Sequence, residues 1–345
     1  MVAPHGQRRY RFMPRPAGLR WYHSHIFAGR NLHLGTYTAQ AGFFEITGAP
    51  PLAAADQEVF LALHGWDPYL APMAASGGDS SLEAAYGSFS VNAHSLGAGE
   101  PVRVQQGQRV LFHLLNANAT LIHRLAISGH TFRVLALDGF PVPAPRETPV
   151  LELAPGERAQ AIVEMNQPGI WILGDADDHT RKSGLGIVIE YAGRTGTPQW
   201  TTPPAAAWDY TAFGRDSTAP EPDERVPLVF RAKWAGNRWV DHWTINGKEY
   251  PKTDPILVRR NAVYRLQFDN QSDDAHPVHL HRHAFELVKV AGKTCSGVTK
   301  DVVVVPPRKQ VEVQFRADNP GASLFHCHMQ LHMDHGFMTL LQYKD

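Results

Sequence analysis

The chain repeats itself at a spacing of about 153 residues, and this internal repeat constrains its fold more than any other feature. Residues 101–116 align with residues 255–270. Two further pairs of segments keep the same spacing: residues 129–132 with 282–285, and residues 167–173 with 319–325. We therefore expect two full copies of one structural module in the chain.

Short runs of alternating apolar and polar residues dominate both copies, for example Val102–Val104 and residues 264–268 and 311–315. Turn-forming pairs such as Pro155-Gly156 and Asn246-Gly247 separate these runs. No long segment shows helical periodicity. Because successive side chains of a strand point to opposite faces, the pattern predicts all-β modules built as sandwiches or barrels.

The start of the chain resembles the second half of a module. Residues 17–25, which end in His23-Ser24-His25, line up with residues 320–328 of the last copy. In the full copies about fifty residues precede the strand that corresponds to residues 4–12, whereas three precede it here. We therefore expect an incomplete, N-terminally truncated first module. Because such a sandwich leaves strand edges unpaired, we expect the chain alone to be less soluble than a version with upstream sequence.

These alignments predict the domain organisation. Residues 1–53 form the C-terminal half of a first domain, residues 54–193 a second domain and residues 226–345 a third. Residues 194–225 are rich in Pro, Thr, Ala and Asp, and this composition predicts an interdomain linker or a long surface excursion.

Charge and cysteine content exclude several classes of protein. The 33 basic and 33 acidic side chains balance, which argues against a nucleic-acid or anionic-membrane partner. No run of 18 apolar residues predicts a membrane span, and the first residues lack the apolar run of a signal peptide. Two cysteines, Cys295 and Cys327, exclude a disulfide-dense scaffold but leave open one disulfide or two free thiols.

The 19 histidines cluster, with four in residues 276–283 and four in residues 326–335. In a strand, His326 and His328 would share one face and Cys327 would occupy the other. On the Cys327 face, His276 and His332 are candidates to complete the two-histidine, one-cysteine set of a blue-copper centre. On the other face, several imidazoles, including the neighbouring pair His279 and His281, suit a copper cluster. So many ligand-type side chains exceed the needs of a zinc site.

The middle module serves as an internal control for these positions. Opposite His279, His281, His326, Cys327 and His328 it carries other side chains: Ala126, Ser128, Gly174, Asp175 and Ala176. The fold therefore does not require histidine there, and a purely structural role is improbable. His283, by contrast, aligns with His130, so we predict that both are packing residues.

The histidine motifs resemble those of the multicopper oxidase family, of the laccase type. The motifs are His23-Ser24-His25, His276-Pro277-Val278-His279-Leu280-His281 and His326-Cys327-His328-Met329-Gln330-Leu331-His332. The resemblance spans nearly the whole chain and implies three tandem cupredoxin-like Greek-key β-sandwiches, the first of them incomplete.

The resemblance also implies a ligand for each copper. It assigns His276, Cys327 and His332 to a type 1 copper that takes part in catalysis, His279 to a type 2 copper, and five histidines to a type 3 pair: His23, His25, His281, His326 and His328. The position of the axial ligand falls on Phe337, which would raise the copper potential relative to a methionine. The family's opening HxHG motif is missing, so six of the eight cluster ligands are expected here.

The activity implied is one-electron oxidation of phenols or aromatic amines, coupled to reduction of dioxygen to water. A periplasmic or secreted location is implied as well. Two alternatives stay open: a truncated electron-transfer protein with type 1 copper and no competent cluster, and a scaffold that uses no metal. The intact set around Cys327 argues against the second.

Overall fold

The computed structural model describes residues 3, 5–74, 80–215, 217–235 and 240–344. The first module contributes two antiparallel strands, β1 (Gly18–His23) and β2 (Ala41–Ile46), joined by a segment with a 3₁₀ helix at Gly35–Thr38. The expected strand at residues 4–12 is wrong, because no described segment pairs with those residues and a strand needs a ladder partner.

The middle module packs two sheets against each other. Its strands are β3 (Gln57–Ala74), β4 (Ser80–Val91), β5 (Val102–Val104), β6 (Arg109–Asn116), β7 (His123–Ile127), β8 (Phe132–Leu137), β9 (Phe140–Thr148), β10 (Leu151–Leu153), β11 (Arg158–Glu164), β12 (Ile170–Asp175) and β13 (Gly186–Tyr191). A short helix, α1 (Asp178–Lys182), follows β12. One sheet has the order β4-β3-β6-β11-β8-β9 and the other β10-β7-β12-β13-β5.

The last module repeats this arrangement. Its strands are β14 (Glu224–Lys233), β15 (His242–Ile245), β16 (Ile256–Val258), β17 (Val263–Asn270), β18 (His276–Leu280), β19 (Phe285–Val290), β20 (Lys293–Thr294), β21 (Thr299–Lys300), β22 (Val302–Val305), β23 (Gln310–Arg316), β24 (Ser323–Cys327) and β25 (Met338–Tyr343). Helix α2 (Gln330–Asp334) follows β24. The sheet orders are β15-β14-β17-β23-β19-β20, with β21 beside β19, and β16-β25-β24-β18-β22.

The two sheet orders correspond strand for strand, which confirms the all-β fold class and the internal repeat. Apolar side chains that alternate along the strands fill the space between the sheets, as in Leu266 and Phe268 on β17, both almost fully buried. The candidate site lies where β18 and β24 pair, with His279 opposite His326.

Residues 194–225 make more contacts than a simple connection needs. They contain a 3₁₀ helix, Tyr210–Phe213, whose Tyr210 and Phe213 are buried in the core. The Tyr210 hydroxyl donates to Glu157 of the middle module at 2.6 Å, and the Asp209 carboxylate pairs with Lys293 of the last module at 2.7 Å. The segment therefore helps to join the two full modules.

Exposed large apolar side chains concentrate near the first module: eight of the twelve found among the described residues fall in residues 10–44. This agrees with the expected low solubility, which stays a prediction.

Both cysteines are free and buried, so the disulfide alternative is wrong and Cys295 is a buried thiol. Among the described residues, no helix is long and apolar enough to cross a membrane.

Candidate metal centre

Three side chains from the last module meet in a buried group: His276 at the start of β18, Cys327 at the end of β24 and His332 in α2. All three are at most 3% exposed. The two Nδ1 atoms are 3.2 Å apart, and Cys327 Sγ lies 3.9 Å from that of His276 and 3.7 Å from that of His332. Three potential ligand atoms therefore surround one point.

These separations fit a metal ion in a trigonal plane. With bonds of about 2.0 Å to nitrogen and about 2.3 Å to sulfur, the nitrogens would be about 3.5 Å apart and each about 3.7 Å from the sulfur. The corresponding distances are 3.2, 3.7 and 3.9 Å. Soft thiolate with two imidazoles is the ligand set that copper takes in blue-copper centres.

The Nε2 atoms of both histidines have hydrogen-bond partners, which leaves the Nδ1 atoms facing the sulfur. His332 Nε2–H donates to the Glu83 carboxylate at 2.9 Å. His276 Nε2–H donates to the Ser272 hydroxyl at 2.8 Å, because that hydroxyl donates its own proton to Asn270 Oδ1 at 2.7 Å. Partners of this kind orient metal-binding histidines and set their tautomer.

Charges next to the two rings shift their pKa values in opposite directions. Burial lowers the pKa of His276 far below its usual value, and the neighbouring His332 lowers it further. Burial would also lower the pKa of His332, but the Glu83 carboxylate and Cys327 raise it to about 10. The metal-free His332 ring therefore carries a second proton at neutral pH, which a metal ion would have to displace.

Two aromatic rings close this group from the protein side. Phe337 is fully buried, with its ring 4.8 Å from that of His276. The ring of Trp243 lies 4.6 Å from His276 and 4.3 Å from His332. Phe337 thus lies next to this group, as the resemblance predicts. Met338 is paired with His326 across β24 and β25.

A second group of histidines lies on the other side of Cys327. His25, His281 and His326 bring their Nε2 atoms together, with His326 Nε2 3.2 Å from that of His25 and 2.9 Å from that of His281. His326 Nδ1–H donates to the Cys327 carbonyl at 2.8 Å, which leaves the Nε2 lone pair directed at its neighbours. Three imidazole nitrogens that converge in this way could together bind one metal ion.

Three further predicted ligands border this set. The ring of His328 lies 5.1 Å from that of His23 and 5.8 Å from that of His279. His23 and His279 each donate Nδ1–H to a backbone carbonyl, of Ser24 at 2.9 Å and of Asp301 at 2.7 Å. Their Nε2 lone pairs are therefore free to bind a metal. We define the imidazole nest as these six residues together: His23, His25, His279, His281, His326 and His328.

Burial keeps the nest uncharged. It lowers the pKa of His23 to about 4 and that of His279 to about 3. Burial together with the neighbouring histidines lowers the pKa of His281 to about 2, and those of His326 and His328 fall well below the usual value. Neutral imidazoles are the metal-binding form, so the residues present fit a copper cluster.

A carboxylate ties the first module to the last beside the nest. Asp334, at the end of α2, accepts hydrogen bonds from the backbone amides of Ala28 and Gly29, each at 2.9 Å. These amides follow His25 by three and four residues. The contact therefore helps to hold His25 against His326.

The middle module uses the corresponding positions for ordinary packing. His123 and Asp175, which align with His276 and Cys327, form a buried hydrogen bond at 2.8 Å. His130 Nε2 forms a hydrogen bond with the hydroxyl of Tyr191 at 2.6 Å, and His283 Nε2 forms one with the hydroxyl of Tyr343 at 2.8 Å. The prediction that His130 and His283 are shared packing residues is confirmed.

The nine ligands predicted from the sequence lie in these two groups, but the side chains that support them were not predicted. Ser272 could have been noticed, because Asn270 and Ser272 repeat the spacing of Asn116 and Asn118 after the equivalent strand. Glu83 gives no local signal, since it lies 249 residues from His332 and reaches it from the long β3–β4 hairpin.

Comparisons with known proteins identify relatives of the whole arrangement. Profiles described as Multicopper oxidase match residues 202–345 and 76–186. Multicopper oxidase MmcO of Mycobacterium tuberculosis is 31% identical over 274 residues, covering 77% of this chain and 52% of that protein. Laccase-2 of Fomitopsis schrenkii is 25% identical, covering 70% of this chain and 54% of that protein. The chain thus spans about half the length of these curated relatives.

Solved structures share the fold at low identity. Fet3p, described as a multicopper oxidase that functions in iron import, superimposes with a TM-score of 0.73 at 18% identity, over 95% of this chain and 72% of that one. The laccase of Botrytis aclada superimposes with a TM-score of 0.70 at 19% identity, over 94% and 70%. With both profiles, the relatives and the cupredoxin-type fold in agreement, the chain belongs to the multicopper oxidase family.

Proposed function

We propose that this chain carries the copper-binding part of a laccase-like oxidase, which oxidises phenols or aromatic amines and reduces dioxygen to water. One observation carries the proposal: two groups of potential metal ligands lie back to back, joined through the consecutive residues His326, Cys327 and His328. A single covalent path between a sulfur-containing site and an imidazole nest suits transfer of electrons from one to the other.

The proposed ligands follow from this arrangement. His276, Cys327 and His332 would hold type 1 copper, and Phe337 packs beside His276. His279 holds type 2 copper, and the type 3 pair takes the other nest residues: His23, His25, His281, His326 and His328. Bound copper supplies one-electron redox chemistry at the first site and oxygen reduction at the second.

The protein's own residues prepare both sites. Trp243 and Phe337 exclude water from the rings of His276 and His332, and the hydroxyl of Ser272 orients the first ring. The Glu83 carboxylate covers the outer edge of His332. An organic reductant would therefore approach beside Glu83, whose carboxylate can accept a hydrogen bond from a phenol O–H or an aromatic N–H.

A second candidate function has its own support. Among the described residues, the nest contains one complete set of three imidazoles, His25, His281 and His326, whereas His23 with His328 and His279 alone fall short of three. A protein with copper at the Cys327 site and an incomplete cluster would act as an electron carrier.

The oxidase proposal places the mature protein in the periplasm or outside the cell, which cell fractionation can test.

Copper content and absorption separate these functions. The oxidase should retain about four copper ions per chain, the carrier one and a metal-free scaffold none. The Cys327 site predicts an intense thiolate-to-copper absorption towards the red end of the spectrum, lost in Cys327→Ser and kept in Cys295→Ser. Copper-loaded protein without that absorption, or with unchanged copper content in Cys327→Ser, would contradict the proposed site. Oxygen consumption with a phenolic reductant then distinguishes oxidase from carrier.

A further inference from the structure

We propose that a turn of the middle module, residues 155–158, positions two imidazoles of the nest, His328 and His279. The inference rests on the proposed function of the nest and assigns the middle module a role in it. The turn lies between β10 and β11, and its backbone is anchored to Asn116, since Gly156 N donates to Asn116 O at 2.9 Å and Asn116 N to Glu157 O at 3.1 Å.

The first contact is between Gly156 and the ring of His328. A Cβ built on Gly156 would lie 2.6 Å from His328 Cδ2 and 2.8 Å from Nε2, closer than real side chains approach. The imidazole therefore packs directly against the backbone of the turn. A backbone surface anchored on both sides holds the ring in one orientation.

The equivalent turn of the last module shows that the turn itself does not need glycine. There Arg308 takes the place of Gly156, because Lys309 O accepts from Asn270 N as Glu157 O does from Asn116 N. Arg308 adopts a φ of 57°, in the same left-handed region as the 85° of Gly156, yet it is an arginine with an exposed side chain. The glycine at 156 is thus explained by the ring of His328.

The second contact runs through Arg158 to His279. Arg158 is 1% exposed and makes a two-pronged ion pair with the Asp301 carboxylate, at 2.6 and 2.7 Å. The carbonyl of Asp301 accepts Nδ1–H of His279 at 2.7 Å. Asp138 of the middle module fixes the same residue from the other side, since its carboxylate accepts the amides of Asp301 and Val302 at 3.2 and 3.1 Å.

Both contacts go to imidazoles outside the complete set of His25, His281 and His326. Those three converge through their own Nε2 atoms, whereas His328 and His279 are held from the middle module. A change in the turn should therefore alter the orientation of these two imidazoles and leave the group around Cys327 unchanged.

The test compares Gly156→Ala with Gly107→Ala. Gly107 lies in the same module with a φ of 87°, close to that of Gly156, but an added Cβ would meet nothing within 4 Å. The two variants therefore share the backbone strain and differ in the contact with His328. In the metal-free chain labelled with ¹⁵N-histidine, long-range ¹H–¹⁵N spectra report each ring, and His→Gln variants assign the signals.

We expect Gly156→Ala to shift the ring signals of His328 and to leave those of His276 and His332 in place. Gly107→Ala should shift none of the three. Unshifted His328 signals in Gly156→Ala, or equal shifts in both variants, would overturn the inference. This readout contains no copper, so it stands even where the proposed oxidase function fails.

Copper affinity supplies the second measurement. In a Cys327→Ser background, where the sulfur ligand is gone, Gly156→Ala should weaken Cu²⁺ binding by about 10- to 100-fold, the usual effect of removing support from a metal ligand. Equal affinities in the Gly156→Ala and Gly107→Ala proteins would count against the turn. In the Cys327-containing protein, Gly156→Ala should keep the red absorption.

Arg158→Lys tests the second contact. It keeps the buried positive charge but loses the two-pronged pair with Asp301, so the ring signals of His279 should shift. Arg308→Lys is the matched control, because Arg308 makes a similar two-pronged pair with Asp273 at 2.7 and 2.8 Å on the exposed turn. If Arg158→Lys folds, as judged by its circular dichroism, and leaves His279 unshifted, this contact has no positioning role.

Discussion

A repeated asparagine offers a prediction in which the two full modules serve as each other's control. Asn116 and Asn270 occupy equivalent positions at the ends of β6 and β17, and both are at most 1% exposed. Each amide binds the loop that follows its strand. In the last module that loop carries Ser272, whose hydroxyl accepts from His276.

The expected loss of stability follows from the bonds removed. The side chain of Asn116 donates to Leu121 O and Leu153 O, each at 2.8 Å, and accepts from Asn118 N at 2.9 Å. With about 1 kcal/mol for each hydrogen bond, Asn116→Ala should destabilise its module by about 3 kcal/mol. At about 3 °C per kcal/mol for a module of this size, the melting midpoint should fall by about 9 °C.

The side chain of Asn270 makes more hydrogen bonds than that of Asn116. Its two amide hydrogens are shared among three carbonyls at 2.7 to 3.1 Å, and its Oδ1 accepts from both the amide and the hydroxyl of Ser272 at 3.0 and 2.7 Å. Four lost bonds predict about 4 kcal/mol and a fall of about 12 °C for Asn270→Ala. Differential scanning calorimetry of both variants measures these shifts.

The two variants should differ at the metal centre. Without Asn270 Oδ1, the Ser272 hydroxyl is free to turn its proton towards His276 Nε2, which removes the support for the tautomer with a free Nδ1 lone pair. Copper-loaded Asn270→Ala should therefore lose or shift its red absorption, whereas Asn116→Ala should keep it. The reasoning is wrong if either midpoint falls by less than about 3 °C, or if the absorption responds equally to both substitutions.

Three further substitutions or reactions test individual contacts. Phe337→Met should lower the type 1 potential in a redox titration, because a thioether would face the copper in place of a phenyl ring, and an unchanged potential would argue against Phe337 as the axial residue. Glu83→Gln should raise that potential, because it removes a negative charge 2.9 Å from His332 Nε2, while Glu58→Gln, which alters a similar carboxylate–histidine pair at His113, should leave it unchanged. At pH 8, native metal-free protein should react slowly with a thiol reagent because both cysteines are buried, and burial also raises the pKa of Cys295 to about 11. Unfolded protein should expose two reactive thiols, and a fast-reacting thiol in the native protein would contradict this expectation.

Local patterns in the sequence were enough to predict the relations within one strand or one module. The period of two along β24 places Cys327 and His326 on opposite faces, and the structure shows these residues in two separate groups. The spacing of about 153 residues likewise predicts that β6 and β17 are equivalent strands, and both end in an asparagine whose side chain donates to a carbonyl of the following loop.

Contacts between modules were not predictable in the same way. Glu83 reaches His332 because β3 and β4 extend as a hairpin beyond the sheet that they share with β6, and no periodicity in residues 57–91 indicates where that hairpin ends. Arg158 and Asp301 come from different modules, and their pairing depends on how the two sandwiches pack. Periodic patterns specify the faces of an element but not its distant neighbours.

The buried pair of His123 and Asp175 explains why one scaffold can serve as both a structural module and a metal centre. In the middle module the Asp175 carboxylate pairs with Nδ1 of His123, the histidine that aligns with His276, at 2.8 Å. In the last module a thiol replaces that carboxylate, and the Nδ1 atom of His276 lies 3.9 Å from Cys327 Sγ and 3.2 Å from the Nδ1 atom of His332. Those contacts are poor substitutes for a carboxylate, because sulfur is a weak acceptor and two imidazole nitrogens share at most one proton between them. A metal ion bound there would satisfy all three groups at once. Two differences, Cys327 for Asp175 and His332 for Thr180 in the equivalent helix, therefore turn a buried hydrogen-bonded pair into a candidate metal site.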